Sequence, residues 1–467
     1  MLKIYNTLTR KIEVFKPIKK DEVGIYTCGP TVYREVHIGN FRTYIGADLL
    51  RRVLIHNGYR VVHIKNITDV GHMRRAGEDD EQVDPIVAEA IAEGKTPQEI
   101  SEHFTKLYFE DEKKLNILPA THYPKASDHI KEMIAIIKIL LDKGLAYEAD
   151  GNVYFDVKKF KNYGKLSGNT LDKMDQLLKA VRVSVETDKK DSADFALWKK
   201  AEKDRLMKWE SPWGEGFPGW HIECSAMSIK YLGDSFDIHT GGEDLIFPHH
   251  EDEIAQSEGA TGARFANYWM HSGFLLIDEE KMSRSKGNIY TIAELAKKDF
   301  EPLAFRYLTF MTHYKNKMNF TIDALQGAQT ALNKLREFIV QKGVPKGEAE
   351  EFENKFYKAL SDDLNMPKAL GIMWEMIKSD NYTLPNKKAS LLRFDEILGL
   401  DLHMAQDFLA NKKEEKIPGE IIKLMEERNA LRKQKRYLLA DQWRRKIIKK
   451  GYEIEDQKGG RTIVKKI

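Results

Sequence analysis

Only two cysteines stand in 467 residues. That is too few for a disulfide framework, so the chain reads as one made for a reducing compartment, the cytoplasm. Long apolar runs are missing as well. The most apolar stretch, MIAIIKILL (133–141), is short and carries Lys138, and reads as a core helix rather than a membrane span. MLKIYNTLTRKIEVFKP (1–17) lacks the apolar core of a signal peptide. No internal repeat or long low-complexity segment occurs. Charge of one sign is also absent: 75 Lys and Arg against 72 Asp and Glu leave +3, which alone points to no partner. What remains, 42% apolar and 31% charged residues, is ordinary for a globular chain. The length suits roughly three domains.

The organising stretch is YTCGPTVYREVHIGNFRTY (26–44). Val23 to Thr27 read as a buried strand, and the chain then turns through Cys28-Gly29-Pro30 to His37-Ile38-Gly39-Asn40. Beyond it, Ile45, Leu49, Val53 and Leu54 form an apolar stripe at helical spacing. Gly58 is the expected stop, and RVVHIKNIT (60–68) reads as a second strand. Strand, helix, strand makes a βαβ unit, so the loop before the helix sits at the carboxyl end of a parallel strand. A helix start there offers unpaired N–H groups and a positive dipole end, which suits phosphate. Gly39 permits close approach of a ligand, and His37 and Asn40 add side-chain donors.

Further along, 71–85 is polar and reads as a loop, followed by helical patterns to about Leu115 and through Asp128–Lys143. GNVYFDV (151–157) and VRVSVET (181–187) read as strands, and 186–205 as a polar stretch. FDIHTG (236–241) and SGFLLID (272–278) read as strands, and beyond Ile322 the pattern is helical to about Leu400. The expected division is 1–115 and 206–320 as two halves of one nucleotide-binding domain, split by an insertion at 116–205. A helical bundle at 321–405 and a small basic domain at 416–467 follow. From Arg428 to Lys450 there are ten Lys and Arg against one acidic residue, Asp441, with Tyr437 and Trp443 interleaved. So uncompensated a run suits phosphate, and aromatics can stack unpaired bases, although many such runs are only solvated helix faces.

The two cysteines fall in segments of the same nucleotide domain: Cys28 in the first strand–helix loop and Cys224 in GWHIECSAM (219–227). PHHEDEIAQSE (248–258) reads as a helix start that puts His249 and Glu253 on one face. Two Cys, a His and a Glu are accepted zinc ligands, though no CxxC clusters them and spacing alone leaves buried cysteines and a solvated pair as alternatives. Two thiolates and a carboxylate against Zn²⁺ would leave a net −1, with room for a further sulfur ligand.

His37-Ile38-Gly39-Asn40 together with Lys281-Met282-Ser283-Arg284-Ser285 resembles the HIGH and KMSKS signatures of class I aminoacyl-tRNA synthetases. Asn replaces the final His of the first, and Arg a Lys of the second. TCGPTVY, HIGNFRTY, NITDV, GWHIECSAM, HTGGEDLIFPHHEDEIAQSE and KMSRSKGN resemble, in order over nearly the whole chain, the cysteinyl-tRNA synthetase family. Gly71-His72-Met73 departs from that family's more usual acidic dipeptide.

The resemblance implies an α/β class I Rossmann-type catalytic domain with an insertion, a helical domain and a small C-terminal anticodon-binding domain. It implies a zinc ion on Cys28, Cys224, His249 and Glu253 that takes the thiolate of L-cysteine. It further implies ATP with Mg²⁺ and tRNA(Cys) as partners. Gly29, Thr31, Thr68, Trp220 and His221 match positions around the amino acid. His37, Asn40, Lys281 and Arg284 match the catalytic groups on the phosphates. GGEDL (241–245), a Gly-rich turn after the strand 236–241, suits close approach of the adenosine of ATP to Gly241 and Gly242, with Asp244 as a polar contact, an ordinary glycine turn being the alternative; Gly39 permits close approach of ATP at the helix start. The physical logic fits: an apolar pocket separates cysteine from near-isosteric serine poorly, whereas thiophilic zinc takes sulfur and lowers the thiol pKa. The reading expects a monomer, with no membrane partner. Two rivals are a same-fold ligase joining cysteine to an aminosugar, which has little use for 322–467, and an RNA-binding relative with a dead site. The intact signatures and four presumed ligands weigh against the second.

Overall fold

The computed structural model describes the chain except residues 72–73, 77–80, 170–187, 204, 283–286, 414–417, 435, 457–461 and 467. The expected strand at 181–187 and the residues His72, Met73 and Arg284 lie outside the described residues. Two compact units emerge, Met1–Leu402 and His403–Ile467.

The larger unit is built on a four-stranded parallel sheet. Its parts are strand β1 (Glu22–Thr27), helix α1 (Ile38–His56), strand β2 (Arg60–Lys65), helix α2 (Trp220–Leu232), strand β3 (Phe236–Gly242), helix α3 (Glu251–Thr261) and strand β4 (Ala266–Ser272). The spatial order is β4-β3-β1-β2. Thr27 at the end of β1 lies opposite both Lys65, the end of β2, and Thr240 of β3, which runs on two residues further to Gly242. The chain leaves β1 toward β2 and returns on the other side at β3. The crevice between them is the switch point where open α/β sheets take ligands.

α1 forms as its pattern predicts. Ile38, Phe41, Ile45, Leu49 and Val53 recur every three or four residues and are buried. His37 caps the start, its Nδ1 accepting from the Asn40 N–H at 3.3 Å. The stop is Gly58, at φ +87°, a conformation that glycine takes at no steric cost. α3 begins with three consecutive acids, Glu251, Asp252 and Glu253, favourable at the positive end of a helix. All three are buried, and each has a partner: Glu251 accepts from the Ser167 N–H at 2.7 Å, Asp252 from Tyr163, and Glu253 meets His239 and His249.

Beside this sheet lies an antiparallel one formed in chain order by Ala146–Ala149, Asn152–Phe155, Phe195–Lys200 and Gly216–Pro218. Strands on both sides of residue 205 therefore share one sheet. The stretch 186–205, read as polar, contains the strand Phe195–Lys200, whose Phe195, Leu197 and Trp198 are buried. Lysines and acids around these residues dilute the local apolar signal. The segment 71–85, read as a loop, contains an antiparallel pair, Arg74–Ala76 with Glu81–Val83, in which backbone groups satisfy one another.

Helix α4 (Pro302–Phe310) and helices Ile322–Ile339, Glu350–Leu360, Met366–Lys378 and Leu384–Leu398 also belong to the larger unit. The smaller unit has helices Ala405–Lys413, Gly419–Lys433 and Tyr437–Lys449 and a hairpin, Tyr452–Asp456 with Thr462–Lys466. Its core is Ile421, Ile447, Ile454 and Val464. Arg428 of the basic run is buried here, with two bonds of 2.6 and 2.5 Å to Asp456; Tyr437 is 57% exposed, and Lys446 Nζ sits 3.3 Å over the Trp443 ring. Among the described residues no helix is long and apolar enough to cross a membrane.

Candidate metal centre and active-site cavity

A cavity of about 320 Å³ opens at the carboxyl ends of β1, β2 and β3. Of the residues singled out from sequence, Cys28, Gly29, Thr31, His37, Gly39, Asn40, Thr68, Trp220, Cys224, Gly242, Asp244 and His249 line it. Others stand behind the lining. Glu253 is fully buried beneath it. His221 lies behind His249, its Nδ1 2.7 Å from His249 Nδ1 and its Nε2 3.2 Å from Asp252 Oδ2. Gly241 supports His250; a Cβ there would stand 2.6 Å from His250 Cε1. The backbone of Lys281 belongs to a two-residue strand paired with Leu275–Ile277. Its side chain, like Arg284, lies outside what is described, and Met282 beside it reaches the cavity.

At one end of the cavity four donors close a ring. Cys28 Sγ is 3.8 Å from Cys224 Sγ, Cys224 Sγ is 3.6 Å from His249 Nε2, His249 Nε2 is 2.9 Å from Glu253 Oε1, and that oxygen is 3.6 Å from Cys28 Sγ. Bonds of about 2.0–2.3 Å at the tetrahedral angle put neighbouring zinc donors roughly 3.3–3.8 Å apart. Three of the four spacings fall in that range, whereas His249 and Glu253, at 2.9 Å, form a hydrogen bond that must widen slightly for both to reach an ion; with that movement the four buried side chains fit one. A second set, Cys28, His239, His250 and Glu253, shares two of these donors. It offers one sulfur instead of two, and His239, His250 and Glu253 stand behind the cavity lining.

The electrostatics of the ring are tightly shared. Burial pushes the Cys28 thiol well above its ordinary pKa, reinforced by Cys224 and Glu253. The hydrogen bond from Cys28 holds the Cys224 thiol lower, against burial. Burial disfavours charge on His249, but Glu253 and Cys224 outweigh it and bring the imidazole up to about 10. Burial likewise opposes the Glu253 carboxylate, which His239 and His249 nevertheless hold at about 2. A proton on His249 thus neutralises the negative donors, the place a dication takes when it binds and releases protons.

Three histidines that the sequence reading left unassigned extend this network. His239 Nε2 is 2.8 Å from Glu253 Oε2, His250 Nε2 is 3.3 Å from Cys28 Sγ, and His250 Nδ1 is 2.8 Å from His271 Nε2. Such outer contacts orient ligands and set their basicity. His239 and His250 lie in HTGGEDLIFPHHEDE, but nothing in a linear string says that they face the same donors. Asn66, in the quoted NITDV, and Arg34 were also passed over, and both line the cavity.

At the helix start, burial and the nearby Arg34 lower the pKa of His37 to about 4, so its ring is neutral at physiological pH. A Cβ on Gly39 would meet Met282 Cε at 2.3 Å. The bare backbone there leaves the α1 N-terminus open to a ligand.

Residues 14–330 match the catalytic domain of class I (C) tRNA synthetases, and 355–402 match the DALR domain. The chain is 42% identical to the cysteine–tRNA ligase of Caldicellulosiruptor saccharolyticus over 99% of both chains. It is 42% identical to that of Thermococcus onnurineus over 100% of this chain and 99% of the relative. For Methanococcus maripaludis the identity is 40% over the full length of both. Its fold is similar to that of Mycobacterium tuberculosis methionyl-tRNA synthetase with methionyl-adenylate, with a TM-score of 0.56 and 14% identity over 82% of this chain and 91% of that one. A LeuRS–tRNA–LeuAMS ternary complex from Agrobacterium radiobacter K84 gives 0.57 and 11% over 85% and 86%.

Proposed function

The chain belongs to the cysteine–tRNA ligase family of class I tRNA synthetases and is a ligase of that class, and from that premise we propose how its cavity works. L-Cysteine enters with its thiol toward Cys28, Cys224, His249 and Glu253, the four residues that would hold zinc. Such an ion would supply a soft Lewis acid that prefers sulfur to oxygen and favours the deprotonated thiol near neutral pH. The observation that carries this reading is the closed ring of two thiols, an imidazole and a carboxylate, within 4.8 Å of one another, at the cavity that also holds His37 and Asn40.

The remaining groups bind and orient. Gly29, Thr31, Thr68 and Trp220 surround the amino acid, and His221 acts through His249. ATP–Mg²⁺ lies across the start of α1. Neutral His37, Asn40 and the α1 N-terminus donate to its phosphates, and Gly39 allows close approach. Lys281 and Arg284 add positive charge, and Gly242 and Asp244 meet the adenosine, with Gly241 behind them against His250. The cysteine carboxylate attacks the α-phosphorus, the bond to the bridging oxygen breaks, and pyrophosphate leaves with its electron pair. These donors stabilise charge as it develops. A ribose hydroxyl at the 3′ end of tRNA(Cys) then attacks the acyl carbon, and AMP departs.

Residues 321–405 and the basic domain 416–467 take the tRNA, which the DALR match and the positive run support; within that run Arg428 and Arg432 are paired with Asp456 and Lys450 with Glu420, which leaves the remaining Lys and Arg to meet phosphate. The enzyme acts as a cytoplasmic monomer. The test is to incubate the protein with labelled amino acid, ATP, Mg²⁺ and total tRNA and to count acid-precipitable, base-labile label. Charging with cysteine and none with serine is expected. Pyrophosphate exchange with cysteine but no charged tRNA would replace this reading with the aminosugar ligase.

A further inference from the structure

The segment that carries Lys281 is fastened to the first turns of α1 at both ends. At its far end the link is backbone. The Ile38 N–H donates to the Tyr290 carbonyl at 2.9 Å, and His37 bridges to Thr291. At its near end the link is one buried side chain, Arg42, a turn further along α1. Arg42 Nη1 donates to the carbonyls of Gly273 and Phe274 at 2.5 and 2.6 Å, and Nη2 donates to that of Asn316. Glu243, just past β3, accepts from the Phe274 N–H at 2.8 Å. Gly273 leaves room for this approach: a Cβ there would fall 2.6 Å from the Asn316 carbonyl oxygen.

These contacts join cavity walls that come from different parts of the chain. His37, Gly39 and Asn40 line it from the start of α1, and Gly273, Phe274 and Leu275 from the segment after β4. From Leu275 the chain enters the hairpin in which Leu276 pairs with Lys281. One guanidinium therefore holds the base of the hairpin and rides on the helix whose start lines the cavity. Burial lowers the Arg42 pKa to about 10, with Glu243 opposing, so the charge is kept at neutral pH. A planar fork suits the task, because it reaches carbonyls of two segments at once, where a lysine offers a single point.

We propose that Arg42 is a positioning residue: it sets the distance between the start of α1 and the hairpin bearing Lys281, and so places that lysine for the charge that develops on the nucleotide. The inference rests on the reading of the cavity as the site of cysteine activation. It adds what that reading leaves open, namely what holds two segments distant in sequence in register across the nucleotide.

Arg42→Lys keeps the charge but not the fork. Cysteine-dependent pyrophosphate exchange is measured in the wild type, Arg42→Lys, Lys281→Ala and the double variant, with cysteine KM, zinc per chain and thermal unfolding beside it. The maximal exchange rate of Arg42→Lys should fall by about 10²-fold, the effect of a displacement of roughly 1 Å at a reacting group. Cysteine KM and zinc per chain should keep their wild-type values, because Arg42 bonds to none of the four donors. In the Lys281→Ala background Arg42→Lys should have no further effect, since the lysine through which it acts is gone. A general loosening of the fold would spare neither cysteine KM nor zinc, and its cost would add to that of Lys281→Ala. Should Arg42→Lys fail to fold, Arg42→Gln, which buries no charge and keeps one donor, takes its place with the same expectations. An unchanged rate in either single variant, a rise in cysteine KM or a loss of zinc in the Arg42 variant, or full additivity of the two substitutions overturns the inference alone. A folded wild-type protein that exchanges no pyrophosphate with cysteine overturns the reading of the cavity and the inference with it.

Discussion

Asp48 Oδ2 accepts from Arg306 Nη2 at 2.5 Å, and both side chains are buried. The same oxygen takes Arg52 Nε at 2.8 Å. Arg306 also donates to the carbonyls of Leu398, Leu115 and Asn116, so the middle of α1 is tied to α4 and to the end of the helix Leu384–Leu398. The helix whose start lines the cavity is thus anchored from behind. Removing the shared carboxylate in Asp48→Ala leaves two buried guanidinium groups without their acid and should cost about 3–5 kcal/mol. Urea unfolding of the two proteins at pH 6 reads this directly. Burial opposes charge on Asp48, but Arg306 and Arg52 prevail and hold its carboxyl at about 2. The pair's contribution is therefore complete above the ordinary value of 3.8 and is lost as pH falls toward about 2, so the gap between the two proteins narrows over that window.

Cys224→Ser tests which of the two overlapping donor sets holds the ion. Replacing a thiolate by a hydroxyl leaves one sulfur in the ring and removes the wall nearest the cavity. Zinc per chain, measured by elemental analysis after dialysis, should fall well below one, and cysteine-dependent pyrophosphate exchange should fall with it. Full zinc retention would place the ion instead on Cys28, His239, His250 and Glu253.

His221 touches His249 rather than the cavity. His221→Ala should leave the four donors in place but free the His249 ring to turn. The expected loss in zinc affinity is roughly 10–100-fold, read by competition with a chromophoric chelator. Catalysis at saturating zinc should recover much of the wild-type rate, which distinguishes an orienting role from direct contact with substrate.

How much of this was legible follows from how far each signal extends along the chain. The β1–α1–β2 unit announced itself locally, through an apolar stripe and a stop at Gly58. His249 and Glu253 were legible because a single helical turn separates them. Cys28 and Cys224 could be joined to them only through family resemblance, since nothing local says that a strand end and a helix 196 positions apart meet. The links from His239 and His250 and the Asp48–Arg306 pair stayed invisible for the same reason. Each is made by side chains from different elements, whose convergence is a property of the sheet order. The antiparallel sheet of the insertion was half visible. Asn152–Phe155 stands out, whereas Phe195–Lys200 is hidden among charges and Gly216–Pro218 is too short to show a pattern.

The neutral state of His37 gives the last prediction. Burial and the positive charge of Arg34 hold its pKa at about 4, below the ordinary 6.5. Between pH 5 and 8 the ring therefore carries no charge, and in the proposed mechanism it helps the phosphates as a hydrogen-bond donor. If the imidazolium were the working form, the advantage of wild type over His37→Ala would grow as pH falls through 6.5, because the proton would be supplied there. A neutral donor makes the opposite forecast. The rate of adenylate formation should drop in His37→Ala by about 10²–10³, the loss of one preorganised donor at developing charge. That ratio should be the same at pH 6 and pH 8. Pyrophosphate exchange at saturating cysteine, followed across this range in both proteins, measures it. A ratio several times larger at pH 6 would show that the charged ring is in use, and would require His37 to be less buried, as well as farther from Arg34, than it is here.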